Sequence, residues 1–157
     1  MEIRRARVED IPRLNDLLGQ VLRIHHEARP DIFKGGVTKY TPEELSVLLK
    51  DPMRPVLVAE EGGMVLGYCF TVIIRHENDN ILADIKTLYI DDLCVDESCR
   101  GRGVGKALYS AALELAGELR CYNVTLNVWE CNGDALAFYR RMGLVPQKTV
   151  MEKIIES

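Results

Sequence analysis

A run of closely spaced glycines is the part of this sequence best suited to binding phosphates. It reads Arg100-Gly101-Arg102-Gly103-Val104-Gly105-Lys106. Glycine has no Cβ, so its backbone can come close to a ligand, and the first N–H groups of a helix bind anions. Because a strand is predicted before this run and a helix after it, we expect a turn that binds a pyrophosphate. The alternative is an ordinary glycine-rich start of a helix.

Two common phosphate motifs do not fit this run. The P-loop places four residues between its glycines and ends on Lys-Ser/Thr, whereas three residues separate Gly101 from Gly105 and Ala107 stands at the hydroxyl position. The dinucleotide motif requires Gly-x-Gly-x-x-Gly near the start of a βαβ unit, and here the third glycine comes one residue early. Both motifs are excluded.

A second group of residues lies about thirty positions downstream, on a predicted helix. Asn132, Ala135 and Tyr139 are spaced so that they share one helical face, with about 10 Å between the first and the last. The small Ala135 leaves room for an extended ligand, and Tyr139 can place a phenol near its end. On its own, Asn132 is equally consistent with a helix N-cap, and Tyr139 with the edge of a core.

Two adjacent acids, Asp91 and Asp92, precede the glycine run on one predicted strand. Carboxylates attract an ammonium group and can take its proton, which converts the ammonium to a nucleophilic amine. Side chains alternate along a strand, so Asp91 is predicted on the face of Leu93 and Val95. Asp92 is then predicted on the other face, unless a bulge shifts the register. The alternative is that both acids lie at a solvated strand edge.

The elements that position these residues follow from hydrophobic periodicity and turn signals. The pattern predicts helices over about Val8–Ala28, Thr41–Lys50, Val104–Leu119 and Ala135–Met142. It predicts strands over Ile3–Ala6, Lys86–Val95, Val124–Val128 and Thr149–Ile155, and a hairpin of Val56–Ala59 with Met64–Ile74. Strands and helices alternate in the second half, while the hairpin requires antiparallel pairing, so we expect an α/β protein with a mixed sheet.

Length and composition fit one globular domain over residues 1–157. The net charge of −4 disfavours a nucleic-acid partner, and no apolar run is long enough to span a membrane. The five cysteines form no metal-ligand pattern, so no metal site is expected, and together with the lack of a signal peptide they predict a cytoplasmic location.

The two motifs together resemble the GCN5-related N-acetyltransferase (GNAT) superfamily. Arg100-x-x-Gly103-x-Gly105 is similar to the coenzyme A pyrophosphate loop, and the segment from Asn132 to Gly143 is similar to the family's Asn-x-x-Ala-x-x-Phe-Tyr-x-x-x-Gly. The resemblance implies a mixed, mainly antiparallel central sheet with helices on both faces and a V-shaped splay between two central strands. It also implies acetyl-CoA as cosubstrate.

The resemblance further implies roles for individual residues. The backbone of Leu93 and Val95 would bind the pantetheine arm, and the Leu93 N–H would polarise the thioester carbonyl. Tyr139 would protonate the departing thiolate. The residues themselves, with a carboxylate just before the thioester position, make Asp91 the candidate catalytic base. Acetyl-CoA would also contact Arg100, Gly101, Arg102, Gly103, Val104, Gly105, Lys106, Asn132, Ala135 and Tyr139.

For the acceptor, the stretch around Asp91 and Asp92 resembles the diamine and polyamine acetyltransferases, which have Glu-Asp where this chain has Asp-Asp. His25 and Glu27 are further candidate substrate contacts, with a solvated helix end as the alternative. The expected function is transfer of acetyl to a primary amine of a small molecule, by direct attack in a ternary complex. A protein N-terminal or lysine acetyltransferase and a non-catalytic acyl-CoA-binding sensor are the alternatives, and the resemblance is compatible with a homodimer.

Overall fold

The computed structural model describes residues 1–156. The chain forms two compact units, Met1–Asn127 and, from Val128 onward, the rest of the described residues. None of the described helices is both long enough and apolar enough to cross a membrane.

The first unit is built on a five-stranded sheet in the order β1-β2-β3-β4-β5. The strands are β1 (Glu2–Arg5), β2 (Val56–Glu61), β3 (Met64–Arg75), β4 (Lys86–Val95) and β5 (Asn123–Leu126). Neighbouring strands are antiparallel except for β4 and β5, which pair in parallel. The predicted mixed, mainly antiparallel sheet is therefore confirmed.

The hairpin of β2 and β3 turns on Gly62 and Gly63, whose φ angles are +59° and +81°. Two consecutive left-handed residues make the turn that best matches the twist of a hairpin, and glycine adopts them without strain. A third glycine, Gly67, lies where β3 approaches β4 closely. A Cβ at this position would be 2.6 Å from the carbonyl oxygen of Cys94, so the close pairing of the two strands requires glycine.

The described residues form four α-helices. The first unit contains α1 (Ile11–Ala28), α2 (Pro42–Leu48) and α3 (Val104–Glu118), and the second unit contains α4 (Gly133–Arg141). A short 3₁₀ turn, Val8–Asp10, precedes α1. The predicted capping box at α2 is present, because the Thr41 hydroxyl accepts from the Glu44 N–H and the Glu44 carboxylate accepts from the Thr41 N–H.

Both faces of the sheet are covered by helices. Leu14 and Leu17 of α1 pack in one core cluster with Tyr68 of β3. On the other face, the Leu108 side chain of α3 comes within 3.2 Å of where a Gly67 Cβ would lie. Tyr68 and Gly67 are consecutive in β3 and so point to opposite faces. The prediction of helices on both faces is confirmed.

The second unit contains α4 and a tail without regular structure. Residues 145–156 are assigned neither helix nor strand, so the predicted strand over Thr149–Ile155 is wrong. A strand requires a hydrogen-bonded partner, and residues 128–156 contain no other strand with which to pair.

Candidate active site

The glycine loop, Arg100–Lys106, connects the end of β4 to α3. Gly101 and Gly103 have φ angles of +77° and +81°, and a Cβ on either would meet no atom of the described chain within 4 Å. The loop is therefore open on the side of its glycines. Among the described residues, the backbone N–H groups of residues 101–106 donate to no acceptor. N–H groups at the positive end of a helix, here one of 15 residues, can bind an anion, and this open arrangement is compatible with a pyrophosphate.

Asp96 fixes the turn that leads into the glycine loop. Its Oδ1 atom accepts from the Ser98 backbone N–H at 2.8 Å and from the Ser98 hydroxyl at 2.7 Å, and its Oδ2 atom is paired with the Arg13 guanidinium. The hydrogen bonds from Ser98, helped by Arg13, lower the Asp96 pKa to about 2. Arg13 also donates to the Val65 carbonyl at 3.0 Å, so α1, β3 and the loop are tied together.

The basic side chains of the glycine loop differ in their surroundings. Arg102 pairs with Glu61 of β2 at 2.5 Å, in an ion pair whose side chains are 51% and 45% exposed. Arg100 and Lys106 are both exposed. Part of the positive charge predicted for pyrophosphate binding is thus already balanced by Glu61.

Among the described residues, the C-terminal half of β4 has no partner strand on one side, at the place where the V-shaped splay is predicted. Its pairing with β5 ends at Ile90 and Leu126, and no strand of the described chain pairs with Asp91–Val95 on that side. On the other side, the register with β3 shifts at the same point: Phe70 pairs with Asp92, and Thr71 pairs with Ile90. Asp91 is therefore the extra residue of a β-bulge.

The bulge turns both acids toward one cation, the ammonium of Lys39. The Lys39 Nζ atom lies 3.3 Å from Asp91 Oδ2 and 4.0 Å from Asp92 Oδ2. The bulge interrupts the alternation that would put the two acids on opposite faces of the strand, so both acids can contact Lys39. We call Asp91 and Asp92 the acid pair.

Asp92 is the more buried member of the acid pair, with 13% of its side chain exposed against 27% for Asp91. Burial raises the Asp92 pKa to about 6, although the Lys39 charge and a 2.9 Å hydrogen bond from the Tyr68 hydroxyl oppose the shift. A carboxyl group that titrates near neutral pH in a cluster with a charged partner is a candidate proton acceptor.

The sequence did not predict Lys39 or Tyr68 as site residues. Lys39 is 52 positions from Asp91, and Tyr68 is 24 positions from Asp92. Nothing in the local pattern around Lys39 distinguishes it from a solvated lysine. Only the capping box that begins at Thr41 indicated that this stretch of chain is held in place.

The two residues predicted at the end of α1 have different surroundings. Burial, followed by the charge of Lys39, lowers the His25 pKa, and its ring stacks on Phe33 at 4.9 Å. An uncharged His25 therefore lies close enough to Lys39 to be influenced by its charge. Glu27 is exposed, and no contact with the acid pair is found among the described residues.

In the second unit, Asn132 is the N-cap of α4, where its side-chain oxygen accepts from the Ala135 N–H at 3.3 Å. The Tyr139 ring contacts the Phe138 ring edge-on at 5.2 Å. Ala135 and Tyr139 lie four residues apart in α4 and so share one of its faces, and Asn132 stands at the cap that precedes them. Across residues 1–156, no group of three His, Cys, Asp or Glu side chains is arranged to hold a metal ion.

Known proteins are similar to this chain in both sequence and fold. A model of the acetyltransferase (GNAT) family matches residues 20–144. A crystal structure of a mutant of the BH1408 protein from Bacillus halodurans is 30% identical, with a TM-score of 0.95 over 99% of this chain and 100% of that one.

Curated relatives match over shorter stretches. Spermine/spermidine N(1)-acetyltransferase of Bacillus subtilis (strain 168) is 28% identical over 57% of this chain. Glucosamine 6-phosphate N-acetyltransferase 1 of Oryza sativa subsp. japonica is 31% identical over 69%. The chain spans 58% and 62% of the lengths of these relatives. A polyamine and an amino sugar phosphate are different acceptors, so the likeness indicates a family and leaves the acceptor open.

Proposed function

The chain belongs to the acetyltransferase (GNAT) family, and from that premise we propose that it transfers acetyl from acetyl-CoA to a primary amine of a small molecule. Acetyl-CoA supplies the activated acetyl thioester. The amine attacks it directly while both substrates are bound. The observation that carries the acceptor half of the proposal is the acid pair with a primary ammonium, that of Lys39, held between its carboxylates.

Acetyl-CoA binding is proposed for the glycine loop and the open edge of β4. The N–H groups of residues 101–106, which donate to no acceptor of the described chain, would hold the pyrophosphate, with Arg100, Arg102 and Lys106 adding positive charge. The backbone of Leu93 and Val95 would bind the pantetheine arm, and the Leu93 N–H would polarise the thioester carbonyl. This assignment is supported by the absence of a strand partner for Asp91–Val95 among the described residues.

Two proton transfers are proposed for side chains. The sequence pattern indicates Asp91 as the base that takes the proton from the acceptor ammonium. The raised pKa and deeper burial of Asp92 favour Asp92 as the group that takes the proton, with the more exposed Asp91 holding the ammonium. In the second unit, Tyr139 would protonate the thiolate, and Asn132 and Ala135 would line the cofactor arm.

A cytoplasmic location without a nucleic-acid or membrane partner is also part of the proposal. Five free cysteines, three of them buried, fit a reducing compartment. The net charge of −4 supports a partner other than nucleic acid.

The test is release of free CoA thiol with a panel of acceptors: propylamine, putrescine, spermidine, an amino sugar, an aminoglycoside, and peptides with a free N-terminus or a lysine. We expect turnover with at least one small amine and much slower turnover with the peptides. Tyr139→Phe tests the general acid: loss of a positioned proton donor should lower kcat by roughly 10²–10⁴-fold, with little effect on acetyl-CoA affinity because the ring is kept.

Two outcomes would contradict the proposal. Preference for a peptide would make the chain a protein acetyltransferase. Tight binding of acetyl-CoA without turnover of any acceptor would make it a non-catalytic acyl-CoA sensor.

A further inference from the structure

Lys39 occupies the place that the proposed function gives to the acceptor amine. Its Nζ atom is 3.3 Å from Asp91 Oδ2 and 4.0 Å from Asp92 Oδ2. Lys39 ends in a primary alkylammonium, the same chemical group as a protonated amine substrate. A substrate ammonium that approaches the acid pair therefore meets a cation of the protein that is already there. The inference drawn from this contact rests on the proposed function.

The position of Lys39 is set by its neighbours in the chain. Tyr40, the next residue, stacks on Phe70 of β3 with ring centroids 6.2 Å apart, and it packs against the buried core. Thr41 then begins α2 through its capping box. The Lys39 ammonium also lies 5.5 Å from the centre of the Tyr40 ring, within the range of a cation–π contact. The backbone at Lys39 is thus held in place, and its ammonium, with 39% of the side chain exposed, is a counter-ion of the acid pair.

The acid pair and Lys39 together carry a net charge of −1 when both acids are ionised, which one substrate cation can balance. Asp91 and Asp92 bring two negative charges when both are ionised, and Lys39 brings one positive charge. Burial and the Lys39 charge lower the His25 pKa, so His25 is uncharged at neutral pH. The Tyr68 hydroxyl donates a hydrogen bond to Asp92 and adds no charge. With Lys39 in place, one negative charge remains for a substrate.

We propose that Lys39 determines acceptor charge: it makes the site selective for amines that carry a single ammonium group, and it disfavours diamines and polyamines. A second or third ammonium on the substrate would be repelled by Lys39, and the acid pair has no second carboxylate left to balance it. Glu43 and Glu44 line the cleft beside Lys39 but belong to α2, outside the acid pair. Like charges placed together weaken binding and are a common means of rejecting the wrong partner. Removing the Lys39 charge should strengthen the binding of diamines and polyamines.

The test compares kcat/KM for propylamine, putrescine and spermidine in the wild type, Lys39→Met and Lys39→Arg. Lys34→Met removes an exposed lysine from the same connection between α1 and α2 and serves as the matched control. We expect Lys39→Met to raise the ratio of spermidine to propylamine kcat/KM by about tenfold or more. Lys39→Arg, which keeps the charge, and Lys34→Met should leave this ratio at the wild-type value.

Calorimetric binding of spermidine to the CoA-bound protein provides a readout that needs no turnover. The inference predicts tighter binding to Lys39→Met than to the wild type. An unchanged ratio, or spermidine binding that is no tighter in Lys39→Met, would overturn the inference while activity with propylamine leaves the proposed function intact. If no amine releases CoA from any variant, the proposed function fails, and the calorimetric comparison still decides the role of Lys39.

Discussion

Asp92 and Asp96 lie four residues apart, one in the acid pair and one just before the glycine loop, and the fold shifts their pKa values in opposite directions. Burial raises the Asp92 pKa to about 6, whereas the hydrogen bonds from Ser98 lower the Asp96 pKa to about 2. The charge of Asp96 stabilises the folded state, while the charge of Asp92 costs free energy. A carboxylate that is retained at such a cost is expected to serve the chemistry.

The two regions also differ in how they are assembled. The glycine loop is a contiguous stretch of backbone whose proposed anion site is formed by two left-handed glycines and the start of α3. The acid pair depends on a bulge in β4 and on Lys39, which lies before α2. In the proposed function, the first region binds acetyl-CoA through backbone N–H groups, so it depends on the absence of side chains. The second works through side chains brought together by tertiary structure.

The largest effect is expected from removing the charge of Asp92. Asp92→Asn should lower kcat/KM by about 10²-fold or more, because a positioned base contributes on that scale. In the wild type, kcat/KM should fall as the pH drops below about 6, the Asp92 pKa, and this limb should be absent from the variant. Asp96→Asn is the matched comparison: because Asp96 fixes the turn before the glycine loop, this variant should raise the KM for acetyl-CoA and keep the acidic limb of the pH profile. Near-normal activity in Asp92→Asn would mean that another group, Asp91 or water, takes the proton.

The same two variants should change stability in opposite directions. The folded-state pKa of Asp92 lies above its ordinary value of 3.8, so the stability it contributes is present below pH 4 and is lost as the pH rises through about 6. The folded-state pKa of Asp96 lies below 3.8, so its contribution is present above pH 4 and is lost as the pH falls toward 2. At pH 7, urea unfolding should show Asp92→Asn more stable and Asp96→Asn less stable than the wild type, each by about 1–3 kcal/mol. Equal shifts in one direction would break the contrast between the two aspartates.

A smaller effect is expected on acetyl-CoA affinity when the glycine loop is altered. Gly103→Val places a side chain on the open side of the loop and should weaken binding by more than about tenfold. Gly63→Val is the matched control, because Gly63 has the same φ of +81° and the same open space around its missing Cβ, in the β2–β3 turn. Calorimetry on both folded variants separates backbone strain from loss of the anion site. Similar affinities in the two variants would show that the loop does not contact the pyrophosphate.

The sequence was sufficient to predict the glycine loop because the determinants of the loop are local. The spacing of Gly101, Gly103 and Gly105 predicts an open helix start directly, and the structure has one. The sheet could also be predicted, because the hairpin and β4 carry strong apolar patterns bounded by turn residues. The exception was the strand expected over Thr149–Ile155, where periodicity was present but no partner strand lies within the second unit.

The acid pair could be found from the sequence, but its geometry could not. Asp91 and Asp92 were visible as adjacent acids, yet alternation alone assigns them to opposite faces. The register shift that turns both toward Lys39 depends on how β3 pairs with β4, which is a property of the whole sheet. Lys39 itself has no local signal. Contacts between residues this far apart along the chain arise only once the fold is formed.

The smallest effect is expected at Arg102, and its size tests whether the glycine loop acts through backbone or through side chains. Arg102 is paired with Glu61 and both side chains are about half exposed, so water and salt screen the pair. Arg102→Met should therefore raise the acetyl-CoA Kd by only about threefold, through loss of one diffuse positive charge, and the difference should shrink at high salt. Glu61→Gln is the matched change, since it releases Arg102 from its partner, and it should tighten binding slightly. If Arg102→Met weakens binding as much as Gly103→Val does, then Arg102 must leave Glu61 to contact the pyrophosphate directly, and the loop depends on side chains as the acid pair does.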